Sequence, residues 1–344
     1  MEATALGILW YFLIFLLIAG YFVLDGFDLG AGVLYPFVAK TDEERALVRH
    51  SIGPVWDGNE VWLLTAGGAL FAAFAPAYAT TFSGFYLAIM LVLFGLILRA
   101  VAVEYASVDS AWSKVWDACF FVGSLLPALL FGVAVGTIYA GIPMDAAGNY
   151  AGVPLLGLVT PFTLLTGLLG LAMFVAAGAS WLAAKAPQES DLHVRARSMR
   201  RIAQIAVIAL FVVVSACGHF IIAPAMDPSL NFVRWVCAIL FAAAMIAAFV
   251  WGGGAEDLKV FVAQSVAAVA LVFLLACSIF PNLVVASMGS VGPSITIASA
   301  AAGDTTLIWM TGIACIGVPL VLAYHVFAYR AFYGRLSQEA GAHE

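Results

Sequence analysis

The feature that most constrains this chain is a series of apolar stretches, each about 20 residues or longer, that recurs along its whole length. A helix of about 20 apolar residues crosses the hydrocarbon core of a bilayer and satisfies its own backbone hydrogen bonds there. We therefore expect an all-α membrane protein in which residues 1–344 form a single integral membrane domain with nine transmembrane helices. The predicted helices span about residues 6–38, 52–75, 78–104, 117–140, 160–184, 201–223, 232–251, 258–281 and 305–330.

The distribution of positive charge predicts the orientation of these helices. If the first helix enters from outside, 13 of the 14 lysines and arginines fall on the inner side, and only Arg234 stays outside. Lysine and arginine concentrate in cytoplasmic loops of membrane proteins. The N-terminus is therefore predicted outside and the C-terminus in the cytoplasm. The inner residues are Lys40, Arg45, Arg49, Arg99, Lys114, Lys185, Arg195, Arg197, Arg200, Arg201, Lys259, Arg330 and Arg335.

Two acidic clusters interrupt the first two apolar stretches. Asp25 and Asp28 lie in the inner half of the first predicted helix, and Asp57 and Glu60 lie near the inner start of the second. Each pair is three residues apart, which places both members on one face of a continuous helix. A carboxylate in hydrocarbon is costly unless it is paired, protonated or hydrated, so acids at this depth indicate a proton or ion path.

The third predicted helix ends with Arg99 and Glu104, so five carboxylates and one arginine reach a similar depth. A static ion pair between Arg99 and one aspartate would lock helices together, but it accounts for only one or two of the acids. A proton relay that opens to the inner face accommodates all of them. We predict that Arg99 is a structural ion-pair residue and that the proton pathway consists of Asp57, Glu104, Asp25, Asp28 and Glu60.

Candidates for metal ligands are few. The five cysteines lie within predicted spans and form no C-x-x-C pair, which is typical of core packing (Cys119, Cys217, Cys237, Cys277 and Cys315). His219 is predicted near the outer end of one helix and His325 near the inner end of another, so the two cannot ligate one haem iron. A single histidine with a methionine is the remaining arrangement. We expect that this chain binds no metal and that any redox metal lies on a partner.

Four segments in the first third of the chain resemble subunit II of the cytochrome bd-type quinol oxidases. They are DGFD at residues 25–28, PVWDGNEVW at 54–62, TAGGALFAA at 65–73 and FSGFY at 82–86. These motifs are long and specific. The remainder of the chain agrees with that family in length, helix count and topology.

The resemblance implies a fold and a partner. In that family, subunit II has nine transmembrane helices, mostly in two four-helix bundles with one peripheral helix. It forms a heterodimer with a similarly folded subunit I, which carries haem b, haem d and the quinol site, whereas subunit II contributes no haem ligand. The assembly oxidises quinol, reduces dioxygen to water and takes its protons from the cytoplasm. The resemblance leaves open whether a small single-helix third subunit joins this assembly.

The resemblance also implies roles for particular residues. In described members a proton path runs from an inner-surface acid to the aspartate of the W-D-G-N motif, and these positions match Glu104 and Asp57. Many members have aspartate at the position of Glu104, and a proline commonly stands where Ala100 follows Arg99. In some members an oxygen tunnel opens at a tryptophan that matches Trp62, and a quinone is held as a structural lipid.

The expected function is therefore that of the haem-free subunit II of a cytochrome bd-type quinol:oxygen oxidoreductase in the bacterial cytoplasmic (inner) membrane. The alternative is a proton-coupled secondary transporter with a carboxylate site on the inner side. Such transporters often contain internal repeats and broken helices at the bilayer midplane. This sequence shows no convincing repeat, and its acids lie away from the centre of the predicted helices.

Overall fold

The computed structural model describes residues 3–222, 226–254 and 256–336 and consists almost entirely of helices. Two very short strands, β1 (Asn282–Val284) and β2 (Ile295–Thr296), pair antiparallel in one loop. The helices are α1 Ala5–Leu24, α2 Gly26–Val38, α3 Asp42–Ile52, α4 Trp56–Ala73, α5 Ala75–Gly84, α6 Tyr86–Tyr105, α7 Ser113–Ala140, α8 Pro161–Lys185, α9 Asp191–Cys217, α10 Asn231–Trp251, α11 Asp257–Ile279, α12 Ile297–Ala300 and α13 Asp304–Ala331.

Within the described residues, eight helical segments are long and apolar enough to cross a membrane, and α1 with α2 counts as one of them. The remaining predicted span, 52–75, corresponds to α4. This helix has 18 residues and carries Asp57, Asn59 and Glu60 in its first turns, which lowers its mean hydropathy below that of the other spans. The all-α membrane class is thus confirmed, whereas the count of nine membrane crossings stays a prediction.

The helices differ from the predicted ones in three places. The span predicted at 78–104 consists of two helices, α5 and α6, which are separated at Phe85. Helix α9 begins at Asp191, ten residues before the predicted start, because Ser190 caps it by accepting from the backbone N–H of His193. The predicted boundary followed hydropathy alone, and the basic first turns of α9 do not belong to the apolar stretch. Helix α3, an amphipathic helix with a Thr41–Glu44 capping box, was not predicted.

The first predicted span is divided at Asp25, which separates α1 from α2. The backbone of Asp25 keeps right-handed helical angles, its N–H donates to Tyr21 at 2.8 Å, and its carbonyl accepts from Leu29 at 3.0 Å. Asp25 and Asp28 therefore enter the bundle on one continuous helical path.

Helix α2 lies in the interior of the bundle, packed against α7 and α8. Small residues allow this close approach: a Cβ placed on Gly30 would lie 1.8 Å from the carbonyl oxygen of Phe174, and one on Gly178 would lie 2.4 Å from the backbone nitrogen of Ala31. Helix α13, by contrast, is peripheral and buries only Leu307, His325 and Ala328.

The two ends of the bundle differ in charge. At one end, named here the basic end, α2, α6, α8, α10 and α13 finish and α4, α7, α9 and α11 begin. There the segment after α13 is held to the end of α8, because Arg335 donates to the carbonyls of Ala183 and Ala186 at 2.8 and 2.7 Å. Arg234 lies at the opposite end, where it donates to the carbonyl of Cys277 at 3.0 Å.

Candidate functional site

A buried ion-pair cluster lies where α1–α2, α4 and α6 meet, and Arg99 is its cation. Arg99 comes from α6 and is 1% exposed. Its Nη2 atom lies 2.7 Å from Oδ1 of Asp25 and also contacts a carboxylate oxygen of Glu60. One guanidinium thus joins acids from two different helices, so it locks the bundle together.

Asp28 continues this cluster toward α13. Its Oδ2 accepts from Nδ2 of Asn59 at 2.7 Å, and Oδ1 of Asn59 accepts from the hydroxyl of Tyr329 at 3.1 Å. Asp25, Asp28 and Asn59 are all 0% exposed. The cluster therefore includes side chains from four helices and has no direct contact with solvent at either aspartate.

Several polar atoms in this cluster have no hydrogen-bond partner among the described residues. They are the Tyr21 hydroxyl, both oxygens of Asp25, Oδ1 of Asp28, and Nε and Nη1 of Arg99. The contact of Asp25 with Arg99 is an ion pair whose angles are not those of a hydrogen bond. Buried polar groups are nearly always satisfied, so this concentration of unsatisfied atoms sets the cluster apart from the apolar interior of the bundle.

Asp57 and Glu104 lie apart from this cluster. Asp57 is exposed on the chain surface at the second residue of α4, and one of its oxygens accepts from the adjacent N–H of Gly58 at 2.7 Å. Glu104 is exposed near the end of α6. Of the six predicted ionisable residues, the structure thus brings together Asp25, Asp28, Glu60 and Arg99, and it places the other two on the surface of the basic end.

Trp62 pairs with His325 on α13. Its indole Nε1 donates to Nε2 of His325 at 3.2 Å, and Nδ1 of His325 lies 2.9 Å from the carbonyl of Val321. Both ring nitrogens are therefore engaged, because Nε2 accepts from the indole and Nδ1 faces a backbone carbonyl oxygen. Trp62 is half-buried and packs closely over Gly20. Its assignment to an oxygen entrance stays a prediction.

Sequence reasoning missed two members of the cluster, Asn59 and Tyr329. Asn59 stands inside the recognised W-D-G-N segment but was given no role of its own. Tyr329 is 270 residues away in sequence and lies on a helix whose apolar pattern marks no buried face. Only the packing of α13 against α4 brings them together.

A second buried charge cluster at the basic end was also missed. Asp257, at the start of α11, is 2% exposed and accepts from Arg200 at 2.8 Å and from Arg335 at 3.2 Å. Nε2 of His193 lies 3.0 Å from Oδ2 of Asp257, the oxygen that also accepts from Arg335. Because the arginines also donate to backbone carbonyls, this cluster ties loops together, which is a structural role.

Comparison with known proteins identifies the family. The family model described as "Cytochrome bd terminal oxidase subunit II" matches residues 6–332. The chain belongs to this family.

Relatives of the subunit II family match over nearly their whole lengths. Cytochrome bd-I ubiquinol oxidase subunit 2 of Escherichia coli (strain K12) is 32% identical, over 98% of this chain and 97% of the relative. Cytochrome bd ubiquinol oxidase subunit 2 of Bacillus subtilis (strain 168) is 33% identical, over 96% and 97%. A probable cytochrome oxidase subunit 2 of Haemophilus influenzae is 35% identical, over 96% and 95%.

The fold agrees with a solved structure. A chain of the bd oxidase from Geobacillus thermodenitrificans superimposes with a TM-score of 0.80, covering 96% of this chain and 99% of that one at 14% identity. At this identity the likeness concerns the fold alone. Together with the sequence relatives, it confirms the predicted subunit II family and does not favour the transporter alternative.

The two histidines considered as haem ligands, His325 and His219, do not form a ligand pair in this subunit II. Both ring nitrogens of His325 are used within the chain. His219 lies in the turn of π-helix that follows α9, toward the opposite end of the bundle. Among the described residues, no group of three or more His, Cys, Asp or Glu side chains could hold a metal ion.

Proposed function

We propose that this chain is the haem-free subunit of a cytochrome bd-type quinol:oxygen oxidoreductase and that it contributes a path for proton uptake. The family match over residues 6–332 carries the oxidase assignment. The relatives named as ubiquinol oxidase subunits support quinol as the reductant. The engaged nitrogens of His325 support a partner subunit as the holder of haem b and haem d.

The proton path begins at Glu104 and continues to Asp57. Both carboxylates are exposed at the basic end of this chain, which the excess of lysine and arginine favours as the cytoplasmic side. Carboxylates at the end of a membrane span can collect protons from water and pass them inward. Their exposure suits residues that face either water or the partner subunit.

The buried cluster extends this path into the bundle. Three carboxyl groups (Asp25, Asp28 and Glu60) surround one guanidinium. If all three were ionised, the cluster would carry two uncompensated negative charges in a medium of low dielectric constant, which is far more costly than retaining a proton. We therefore expect the cluster to hold at least one proton, which it can release and take up again. Arg99 fixes the positions of two of the acids.

The assembly and location follow from the same assignment. The chain spans the bacterial inner membrane several times, as its apolar helices and its relatives suggest. It pairs with a haem-bearing subunit I of similar fold. The partner subunit supplies the redox centres, and the side chains of this chain hold the helices in place and hold or move protons.

An optical spectrum of the affinity-purified chain tests the oxidase role. We expect the bands of haem b and haem d, together with a second membrane subunit of similar size and quinol-dependent oxygen consumption. A colourless protein that purifies alone and carries out proton-coupled flux in vesicles would contradict the proposal and would favour a transporter. A tagged, unrelated membrane protein from the same host serves as the control for carried-over haem protein.

A further inference from the structure

A cavity of about 150 Å³ opens at the basic end of the bundle. Its walls come from the end of α3, the turn before α4, the end of α8, the end of α13 and the segment that follows α13. The lining side chains include Ser51, Val55, Trp181, Lys185, Tyr329 and Tyr333. This volume accommodates several water molecules, and the lining offers hydroxyl and ammonium groups to them.

Tyr329 belongs both to this cavity and to the buried acid cluster. Tyr329 is one of the residues that line the cavity, and its hydroxyl donates to Asn59. Asn59 in turn donates to Asp28, whose other oxygen has no hydrogen-bond partner among the described residues. Only two side chains therefore separate a cavity at the basic end from a fully buried carboxyl group.

Aromatic side chains pack around this contact. Trp181 packs against Phe27 with ring centroids 4.4 Å apart and against Phe261 at 5.3 Å, and Tyr329 meets the edge of Trp181 at 5.9 Å. The indole nitrogen of Trp181 is held by the carbonyl of Ser51 at 3.0 Å. The polar connection between cavity and cluster thus runs through an apolar wall at the position of Tyr329 and Asn59.

A carboxamide is a poor proton carrier, because it neither binds nor releases a proton readily. The closed chain from Tyr329 through Asn59 to Asp28 consequently works as a latch: it keeps water in the cavity away from Asp28 until the Asn59 side chain moves. We propose that this cavity is a second proton entrance of the subunit, separate from the surface acids Glu104 and Asp57, and that Tyr329 and Asn59 are the positioning residues that gate it.

In this step a proton leaves a hydronium ion in the cavity and binds a carboxylate oxygen of Asp28, which leaves a neutral water and a neutral carboxyl group. No bond between heavy atoms forms or breaks. The inference rests on the proposed role of the cluster in proton uptake. It does not depend on Asp57 or Glu104.

Hydrogen–deuterium exchange of the Asp28 carboxyl group, followed by infrared spectroscopy of the intact oxidase complex, tests this entrance. Asp28→Asn identifies the carbonyl band of the protonated cluster. A near-isosteric Ser51→Cys variant places a thiol in the cavity wall, where a charged, membrane-impermeant methanethiosulfonate can react with it. We expect the reagent, added at the basic end, to modify this thiol and to slow exchange of the band by about tenfold.

The matched control is Ser198→Cys, because Ser198 is exposed on α9 outside the cavity. Modification of Ser198→Cys should not change the exchange rate of the Asp28 band. Treatment of the unsubstituted chain with the same reagent should not change it either. Three results would overturn the entrance: no band that depends on Asp28, no modification of Ser51→Cys, or unchanged exchange after complete modification. Slower exchange in Glu104→Gln, together with unchanged exchange in modified Ser51→Cys, would support the surface path and contradict this entrance.

The latch is tested with Tyr329→Phe in the same assay. Removing the hydroxyl frees Asn59, so exchange should become about fivefold faster, the factor that corresponds to one hydrogen bond. Tyr333→Phe is the control, because Tyr333 also lines the cavity but is 77% exposed. Exchange in Tyr329→Phe that is no faster than in this control would overturn the gating role.

Discussion

At the scale of single residues, Arg99 is the side chain on which the buried cluster depends. It lies among three acids, and its Nη2 contacts two of them. A buried charge that loses its partner costs more than the pair contributes, because the remaining group cannot recover its hydration. The same residue therefore holds α1–α2, α4 and α6 together.

Replacing Arg99 with Gln should destabilise the complex by about 3 to 5 kcal/mol, because it leaves buried acids without their cation. Thermal unfolding of the purified oxidase measures this change. Arg330→Gln is the control, because Arg330 is exposed at the basic end, and it should change stability by less than about 0.5 kcal/mol.

The double variant Arg99→Gln with Asp25→Asn should recover most of the loss, since it removes an uncompensated negative charge as well. Equal stability of the single and the double variants would show that charge balance is not what Arg99 provides.

His325 and His219 provide a second test at this scale. Replacing either with Ala should leave the haem content of the complex unchanged, because His325 already uses both ring nitrogens and His219 lies toward the other end of the bundle. Pyridine haemochrome analysis per complex measures this. Loss of one haem on either substitution would mean that this subunit supplies a haem ligand.

At the residue scale, only part of the buried cluster could be predicted from the sequence. Asp25, Asp28, Glu60 and Arg99 could be predicted to meet, because three consecutive helices bring charged residues to a common depth. Which acids lie inside the chain and which face outward could not be predicted from three-residue spacing alone. Asp57 and Glu60 are neighbours on α4, yet Glu60 contacts Arg99 and Asp57 is exposed.

At the scale of helices, close packing of α2 against α8 fixes the depth of the two aspartates. Substituting Gly30 with Ala would place a methyl group 1.8 Å from a backbone carbonyl oxygen of α8. Because backbone atoms cannot rotate away, the helices must separate. We expect a loss of about 3 kcal/mol or more and a lower yield of assembled complex, measured by size-exclusion chromatography.

The matched control for this substitution is Gly67→Ala in α4, where the nearest atom to an added Cβ is 4.0 Å away. Alanine favours a helix over glycine by about 1 kcal/mol, so this variant should be neutral or slightly stabilising. An equal loss in both variants would indicate a general sensitivity of these helices rather than a close contact at Gly30.

Long apolar stretches predicted most of the helices because length and hydropathy decide membrane insertion. Apolar stretches did not predict the helix boundaries that depend on capping or on an amphipathic pattern. Helix α9 extends into a basic segment that its Ser190 cap permits, and the capped amphipathic helix α3 has a polar composition. The low hydropathy of α4 comes from Asp57, Asn59 and Glu60, which occupy its first turns.

At the scale of the whole molecule, the orientation in the membrane decides from which side the acids take protons. Reporters placed in the 186–190 loop or fused to the C-terminus should read cytoplasmic, and one placed near residues 146–149 should read periplasmic. Activities of alkaline phosphatase and green fluorescent protein fusions measure this. A reversed signal at any of these sites would put the basic end outside.

The exposure of Asp57 and Glu104 must also be interpreted in the whole complex. Both are on the surface of this chain at the basic end, so the partner subunit or water must complete their surroundings. A proton path that crosses from one subunit to the other would account for this placement.

Turnover per haem in Asp57→Asn tests the central claim most directly. Asparagine keeps the size and much of the hydrogen bonding of aspartate but cannot carry a proton. Oxygen reduction per assembled complex should fall by about ten- to a hundredfold, with haem content intact, because a proton-transfer group has been removed. Asp57→Glu should retain more activity, and Glu104→Gln should resemble Asp57→Asn. Unaltered turnover per haem in Asp57→Asn, or activity that falls only in step with haem content, would contradict a role for this subunit in proton uptake at that residue.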